Sequence, residues 1–179
     1  LGRLLGNGAL LTGQVLGCDR IPTGKGQGFA GYDPRALKGN GVTYSMSTMG
    51  GDHTAGNCFG SRTAVDPLGT ENQGELSKKL QIQIGTLDCI GLCMFARGPL
   101  FADIEMLADM LNYKCGSSFN KDNIWDLGIN TLKLEREFNT KAGVSPAHDK
   151  LPEFLYEEPL SPTYAVFDLT EEEMLKSIV

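Results

Sequence analysis

The chain has 179 residues, 41% hydrophobic and 21% charged, which suits one globular domain or two small ones sharing a core. A formal net charge of −6 removes the electrostatic case for nucleic acid or an anionic membrane as partner, and no apolar run approaches the roughly 20 residues of a membrane span. Five cysteines, at positions 18, 58, 89, 93 and 115, make an odd set without disulfide-framework spacing, so a reducing compartment, the cytoplasm, is expected.

Leu4, Leu5, Ala9, Leu11, Val15 and Leu16 recur at near-helical spacing and Gly17 stops the pattern, although Gly6, Gly8 and Gly13 weaken that helix. Leu1 to Gly17 lacks the basic leader and cleavage site of a signal peptide. With no methionine ahead of Leu1, and with Val179 ending inside a helical pattern, the chain reads as part of a longer polypeptide. Pro22, Gly24, Gly26, Gly28 and Gly31 make residues 19–33 an irregular connector with room for a short strand. Gly24-Lys25-Gly26-Gln27-Gly28 is not a phosphate loop, because Lys25 is followed by Gly26 instead of a Ser or Thr opening a helix. Asp33 as N-cap and Pro34 in the first turn predict a helix through about Tyr44. Gly50-Gly51 then interrupts a run of small residues just before Asp52-His53, and residues 56–74 read as a loop.

Glu75 to Leu87 is the next predicted helix, delivering Asp88 at its end. Pro99 opens an amphipathic helix with Leu100, Ile104, Leu107, Ala108 and Leu111 on one face. Asn120 or Asp122 caps a helix from Ile124 to Phe138, which Gly143 ends. The segment from Pro146 to Pro162 is rich in proline and reads as an extended wrap. A final helix spans Thr170 to Ile178, with Glu171-Glu172-Glu173 at its positive end. No internal repeat is present, and the class is mostly α.

Asp88-Cys89-Ile90-Gly91-Leu92-Cys93 carries the most chemistry. It sets a carboxylate five residues ahead of a thiol across a glycine-containing turn. A carboxylate accepts two parallel hydrogen bonds from the N–H edge of a pterin, and a thiolate holds iron in an iron–sulfur cluster. Five residues span about 17 Å at most, so two such ligands hold an organic cofactor and a cluster side by side. Read without context, helix capping accounts for the aspartate and apolar packing for the cysteine. A closed structural zinc site is not expected, since Cys89-x-x-x-Cys93 has no accompanying Cys-x-x-Cys pair and His53 and His148 are remote from it.

The flanking sequence supplies context. Upstream stand Gly31-Tyr32-Asp33-Pro34-Arg35-Ala36-Leu37-Lys38-Gly39, then Tyr44-Ser45-Met46-Ser47-Thr48 and Gly51-Asp52-His53. Downstream stand Leu134-Glu135-Arg136-Glu137-Phe138-Asn139, Asp149-Lys150-Leu151-Pro152 and Glu157-Glu158-Pro159-Leu160. In this order, with Asp-x-x-Gly-Leu-Cys between them, these blocks resemble the tungsten-containing aldehyde ferredoxin oxidoreductase family over about residues 1–175.

The resemblance implies the multihelical C-terminal part of such a protein. Residues 1–70 would form the end of the middle helical domain and 71–179 the C-terminal domain, without the sheet-rich domain that cradles the pterins. It implies tungstopterin (or molybdopterin) and a 4Fe-4S cluster as cofactors. Asp88, Gly91 and Leu92 would lie at the pterin, with Cys93 as one iron ligand of four and the other three in an upstream Cys-x-x-Cys-x-x-x-Cys run. His53 is the candidate for proton transfer, since imidazole titrates near neutrality, and a structural histidine is the alternative. Asp52 is placed to orient it, while His148 is expected to be exposed and Asp33, Arg35 and Lys38 to cap and pair across a helix start. The implied partners are ferredoxin, a small aldehyde and the remainder of the polypeptide. On its own the chain, with one thiolate and half a pterin site, is expected to retain neither tungsten nor an intact cluster. Gly28 stands where the family commonly has a carboxylate, and Lys141 and Phe154 stand where it commonly has arginine. A helical scaffold without chemistry of its own, and the same cofactors working in a reduction, are the competing readings.

Overall fold

A computed structural model describes residues 1–179, and its regular structure is almost wholly helical. Two short helices, α1 (Gly2–Leu5) and α2 (Ala9–Leu16), replace the single one expected, because Gly8 turns the chain at φ 89° between them. The connector holds a hairpin, β1 (Thr23–Gly24) against β2 (Gln27–Gly28), antiparallel with Thr23 opposite Gly28. Its loop residues Lys25 and Gly26 both have positive φ, as a two-residue primed turn requires.

Helix α3 (Lys38–Met46) starts at Lys38 and not at Pro34. Asp33 does not cap it. Its carboxylate accepts from the Arg35 backbone N–H at 2.9 Å and from the Arg35 guanidinium at 3.0 and 2.7 Å, so the chain completes one turn and breaks at Leu37 (φ −143°, ψ 75°). Every residue of α3 is buried, which makes this small-residue helix the axis of the molecule. Lys38 pairs outside its own helix, with Asp168 at 2.5 Å.

Helix α4 (Gln73–Cys89) exceeds its expected span by a half-turn at each end. The single amphipathic helix expected from Pro99 is two, α5 (Arg97–Ala102) and α6 (Ile104–Cys115). Asp103 breaks them apart at φ −132°, its carboxylate accepting the Met106 N–H at 3.0 Å as a new N-cap. The apolar face is nevertheless as read: Leu100, Leu107 and Ala108 are buried, with Ile104 and Leu111 packed beside them. Asn120 and Asn123 form a capping box that opens α7 (Lys121–Lys141).

The tail is not simply extended. A 3-10 turn (Pro146–His148) and α8 (Phe154–Glu157) fold it so that Leu151 and Leu155 join Val42, Tyr44, Met46, Phe167 and Leu169 in one core cluster. Arg35 fastens it, donating to the Glu158 carbonyl at 2.8 Å while lying 5.6 Å above the Phe154 ring. The last helix, α9 (Glu171–Leu175), is shorter than expected and is capped by Thr170. A second cluster joins α4 to α5, α6 and α7. No single helix is long and apolar enough to cross a membrane.

Candidate functional site

The Asp88–Cys93 stretch is the C-terminal closure of α4. Gly91 takes φ 73°, the Leu92 N–H returns to the Leu87 carbonyl at 2.9 Å, and the Gly91 N–H to the Asp88 carbonyl at 3.2 Å. This is a Schellman ending, in which the glycine accepts a left-handed conformation and the following apolar residue packs back. Ile90 and Leu92 do pack back, against the cluster containing the buried Leu87. With those two turned inward, Asp88, Cys89 and Cys93 are left exposed around the same turn. The Asp-x-x-Gly-Leu-Cys pattern therefore encodes both a stop signal and an outward display.

The segment from Met46 to His53 is presented beside this turn by cations and amides that meet the carbonyl end of α3. Lys25 donates to the Ser45 carbonyl, Arg136 to the Met46 carbonyl at 2.6 Å, and Asn139 to the Thr48 carbonyl at 2.8 Å. Positive charge is favoured there by the helix dipole. Asp149 balances the two cations, 2.7 Å from Lys25 and 3.6 Å from Arg136. Thr48 then donates to the Glu135 carboxylate at 2.6 Å, and Asp52 caps a 3-10 turn (His53–Ala55) by accepting from the Thr54 N–H at 2.8 Å and the Thr54 hydroxyl at 2.6 Å.

His53 is half-buried, with its ring 5.2 Å from that of Tyr32 and its Nδ1 3.8 Å from an Asp52 oxygen. That distance is within ion-pair reach but too long for a hydrogen bond. Asp88 carries no cation partner. Although Asp88 is exposed, partial shielding of its carboxyl from water, and then the negative charges of Glu135 and Asp52, raise it above its ordinary value. The structure thus gathers Asp52, Asp88 and Glu135 along one edge, with exposed Met49, Leu134 and Phe138 lining a shallow pocket of about 360 Å³ beside Glu135. The Cys89 thiol rests 2.9 Å from the Thr131 hydroxyl. No group of three His, Cys, Asp or Glu side chains is placed to hold a metal ion. His148 is exposed, as expected.

Glu135, Arg136 and Asn139 are the site residues that sequence reasoning missed. They sit in the block Leu134–Asn139 that carried the resemblance. A usable signal existed in Leu134 and Phe138, an i, i+4 apolar pair whose exposure shows this stretch of α7 faces something other than the core.

Because Asp88 has a raised folded-state value, its protonated form is the one the fold favours. That contribution to stability is present below the unfolded carboxylate value and is lost as pH rises through the folded one. Asp88→Asn is therefore expected to melt higher than wild type near neutrality and to lose that advantage below about pH 4. Thermal melts across pH check this, and an unchanged difference at acid pH would contradict it.

Residues 1–178 match the family model described as aldehyde ferredoxin oxidoreductase, domains 2 and 3. The chain is 32% identical over 136 residues to a tungsten-containing aldehyde ferredoxin oxidoreductase of Thermococcus kodakarensis, covering 72% of this chain and 22% of that protein. It is likewise 32% identical over 143 residues to one of Pyrococcus horikoshii, covering 76% of this chain and 23% of that protein. The chain thus spans under a quarter of the length of the curated relatives it matches.

Proposed function

The chain belongs to the aldehyde ferredoxin oxidoreductase family, and on that premise we propose that it forms one wall of the cofactor site in a cytoplasmic tungsten (or molybdenum) pterin oxidoreductase. The proposed reaction converts an aldehyde and water to a carboxylic acid, with a 4Fe-4S cluster passing two electrons on to ferredoxin. The observation that carries this reading is the Asp88–Cys93 turn, which displays a carboxylate without a cation and a free thiol together at the end of α4.

The residues fit the groups in part. Asp88 is an acceptor crowded by two other carboxylates, and N–H donors from a pterin edge would relieve that crowding. The main chain at Gly91 and Leu92 would border the same ring system. Cys93 is exposed and unpaired, suited to holding one iron. A single thiolate cannot hold a cluster, so the remaining ligands lie elsewhere, and the chain alone is expected to retain neither metal nor cluster. When bound, the metal and pterin supply the two-electron oxidation. The chain's own share is to hold the pterin edge at Asp88, to line the approach with the Met49–Phe138 edge, and to move a proton at His53. The division near residue 70, between the end of the middle helical domain and the C-terminal domain, belongs to the same proposal.

Cys93→Ala in the assembled holoenzyme tests the reading. One missing thiolate exposes an iron to exchange, while Asp88 still holds the pterin, so iron content and the cluster absorption band are expected to fall while tungsten stays near wild type. Equal retention of both metals with an unchanged spectrum makes Cys93 a packing residue and removes the proposal's main support.

A further inference from the structure

A groove of about 400 Å³ lies between the N-terminal half of α4, α5 and the loop around Ser61. Helical periodicity sets Gln83 roughly 140° around the α4 axis from Asp88, so the groove opens on a different face. It is lined by two polar side chains for which the protein offers no partner. Gln83 is 7% exposed overall, and its amide makes no hydrogen bond within the protein and keeps its polar atoms open to solvent in the groove. Nη1 of Arg97 is buried without a partner, and Arg97 joins none of the ion pairs.

The other buried cations are treated differently. Lys25, Arg35 and Lys38 each face a carboxylate. The Cys58 thiol, whose charge would bear on Arg97, is pushed up to about 12 by burial, so it is neutral and offsets nothing. Burial also lowers the Arg97 value, as expected of an uncompensated guanidinium. Lys79 adds a second positive charge at the rim, and no Asp or Glu lines the groove. Two cations and an unpaired amide gathered without an acid, in a chain of net charge −6, leave a place for an anion.

The remaining wall is apolar, formed by Leu76, Leu80 and Phe101. We propose that this groove binds a small organic carboxylate, its two oxygens taken by Arg97 and Gln83 and its apolar body laid against Leu76, Leu80 and Phe101. A planar carboxylate matches the single guanidinium fork, and the apolar wall suits a hydrocarbon or aromatic body better than a hydrated inorganic ion.

Benzoate titrated into the assembled holoenzyme, followed by calorimetry and by thermal melting with chloride at equal ionic strength as control, tests this. Saturable binding and a raised melting temperature are expected for wild type. Arg97→Gln should bind at least about tenfold more weakly, in line with losing one charge-assisted hydrogen-bonded pair. Gln83→Met keeps the buried volume and should also weaken binding, which secures the test if Arg97→Gln fails to fold. Absence of saturable benzoate binding, affinity unchanged in both variants, or binding of inorganic phosphate but not of benzoate would each overturn the proposal.

Discussion

His53→Asn in the assembled holoenzyme is expected to slow turnover by about 10²–10⁴-fold, the usual scale of general acid–base assistance, with iron and tungsten contents unchanged. Both Asp52 oxygens are engaged by Thr54, so Asp52, 3.8 Å from the imidazole, does not fix its orientation. The Tyr32 ring, 5.2 Å away, supplies the packing that holds the ring plane. Asparagine retains a polar side chain and leaves the Asp52 cap intact, so the turn survives while the titrating group is lost. The limb of the pH–rate profile that reports the imidazole should vanish with it. Normal turnover with an unaltered profile would leave His53 as a structural partner of Tyr32.

Gly128→Val is expected to be the most damaging change to the fold. Gly128 is where α7 crosses α4, and a Cβ there would stand 2.5 Å from the Thr86 hydroxyl oxygen and closer still to the Ile82 carbonyl. Backbone cannot retreat as a flexible side chain can, so the two helices must separate and the cluster around Ile84, Leu87 and Ile124 must loosen. Overpacking of this kind costs about 3 kcal/mol or more, which in a chain of this size lowers Tm by roughly 6–12 °C. Gly98→Ala in α5, where a Cβ meets nothing within 4 Å, is the control and should be neutral or slightly stabilising. Circular-dichroism melts decide it, and a Gly128→Val midpoint within about 2 °C of wild type would refute the crossing as described. The consequence reaches the site, because this crossing is what holds Asp88 of α4 opposite Glu135 of α7.

Much of the local structure was legible in the residues themselves. Gly17, Gly91 and Gly143 end their helices in the left-handed conformation, Asn120 caps α7, and Leu100, Leu107 and Ala108 form the buried stripe. The order of the motif blocks pointed to the family to which the chain belongs. Each of these depends on chemistry within about one helical turn, or on residue order alone, and both are properties of the sequence.

Where the reading failed, a nearby polar group had two possible partners. Asp33 reads as a cap until Arg35 takes its carboxylate, and Arg35 is held for that role by the Glu158 carbonyl 123 residues away. Asp103 reads as one polar position on a continuous helix, but it instead starts a second one. The tail looked extended because its prolines are visible in sequence, whereas the hydrophobic slot that folds Leu151 and Leu155 inward is made by α3. The same holds for the candidate site. The sequence by itself determined the helix stop at Asp88–Cys93, since a glycine followed by an apolar residue is written within six consecutive residues. Only the tertiary structure decided that Glu135 and Asp52 face Asp88, that Arg136 grips a carbonyl 90 residues away, and that Nη1 of Arg97 is buried without a partner. Charges and hydrogen bonds act over a few ångströms of space, and only the packing of α4 against α3 and α7 brings those residues within that range.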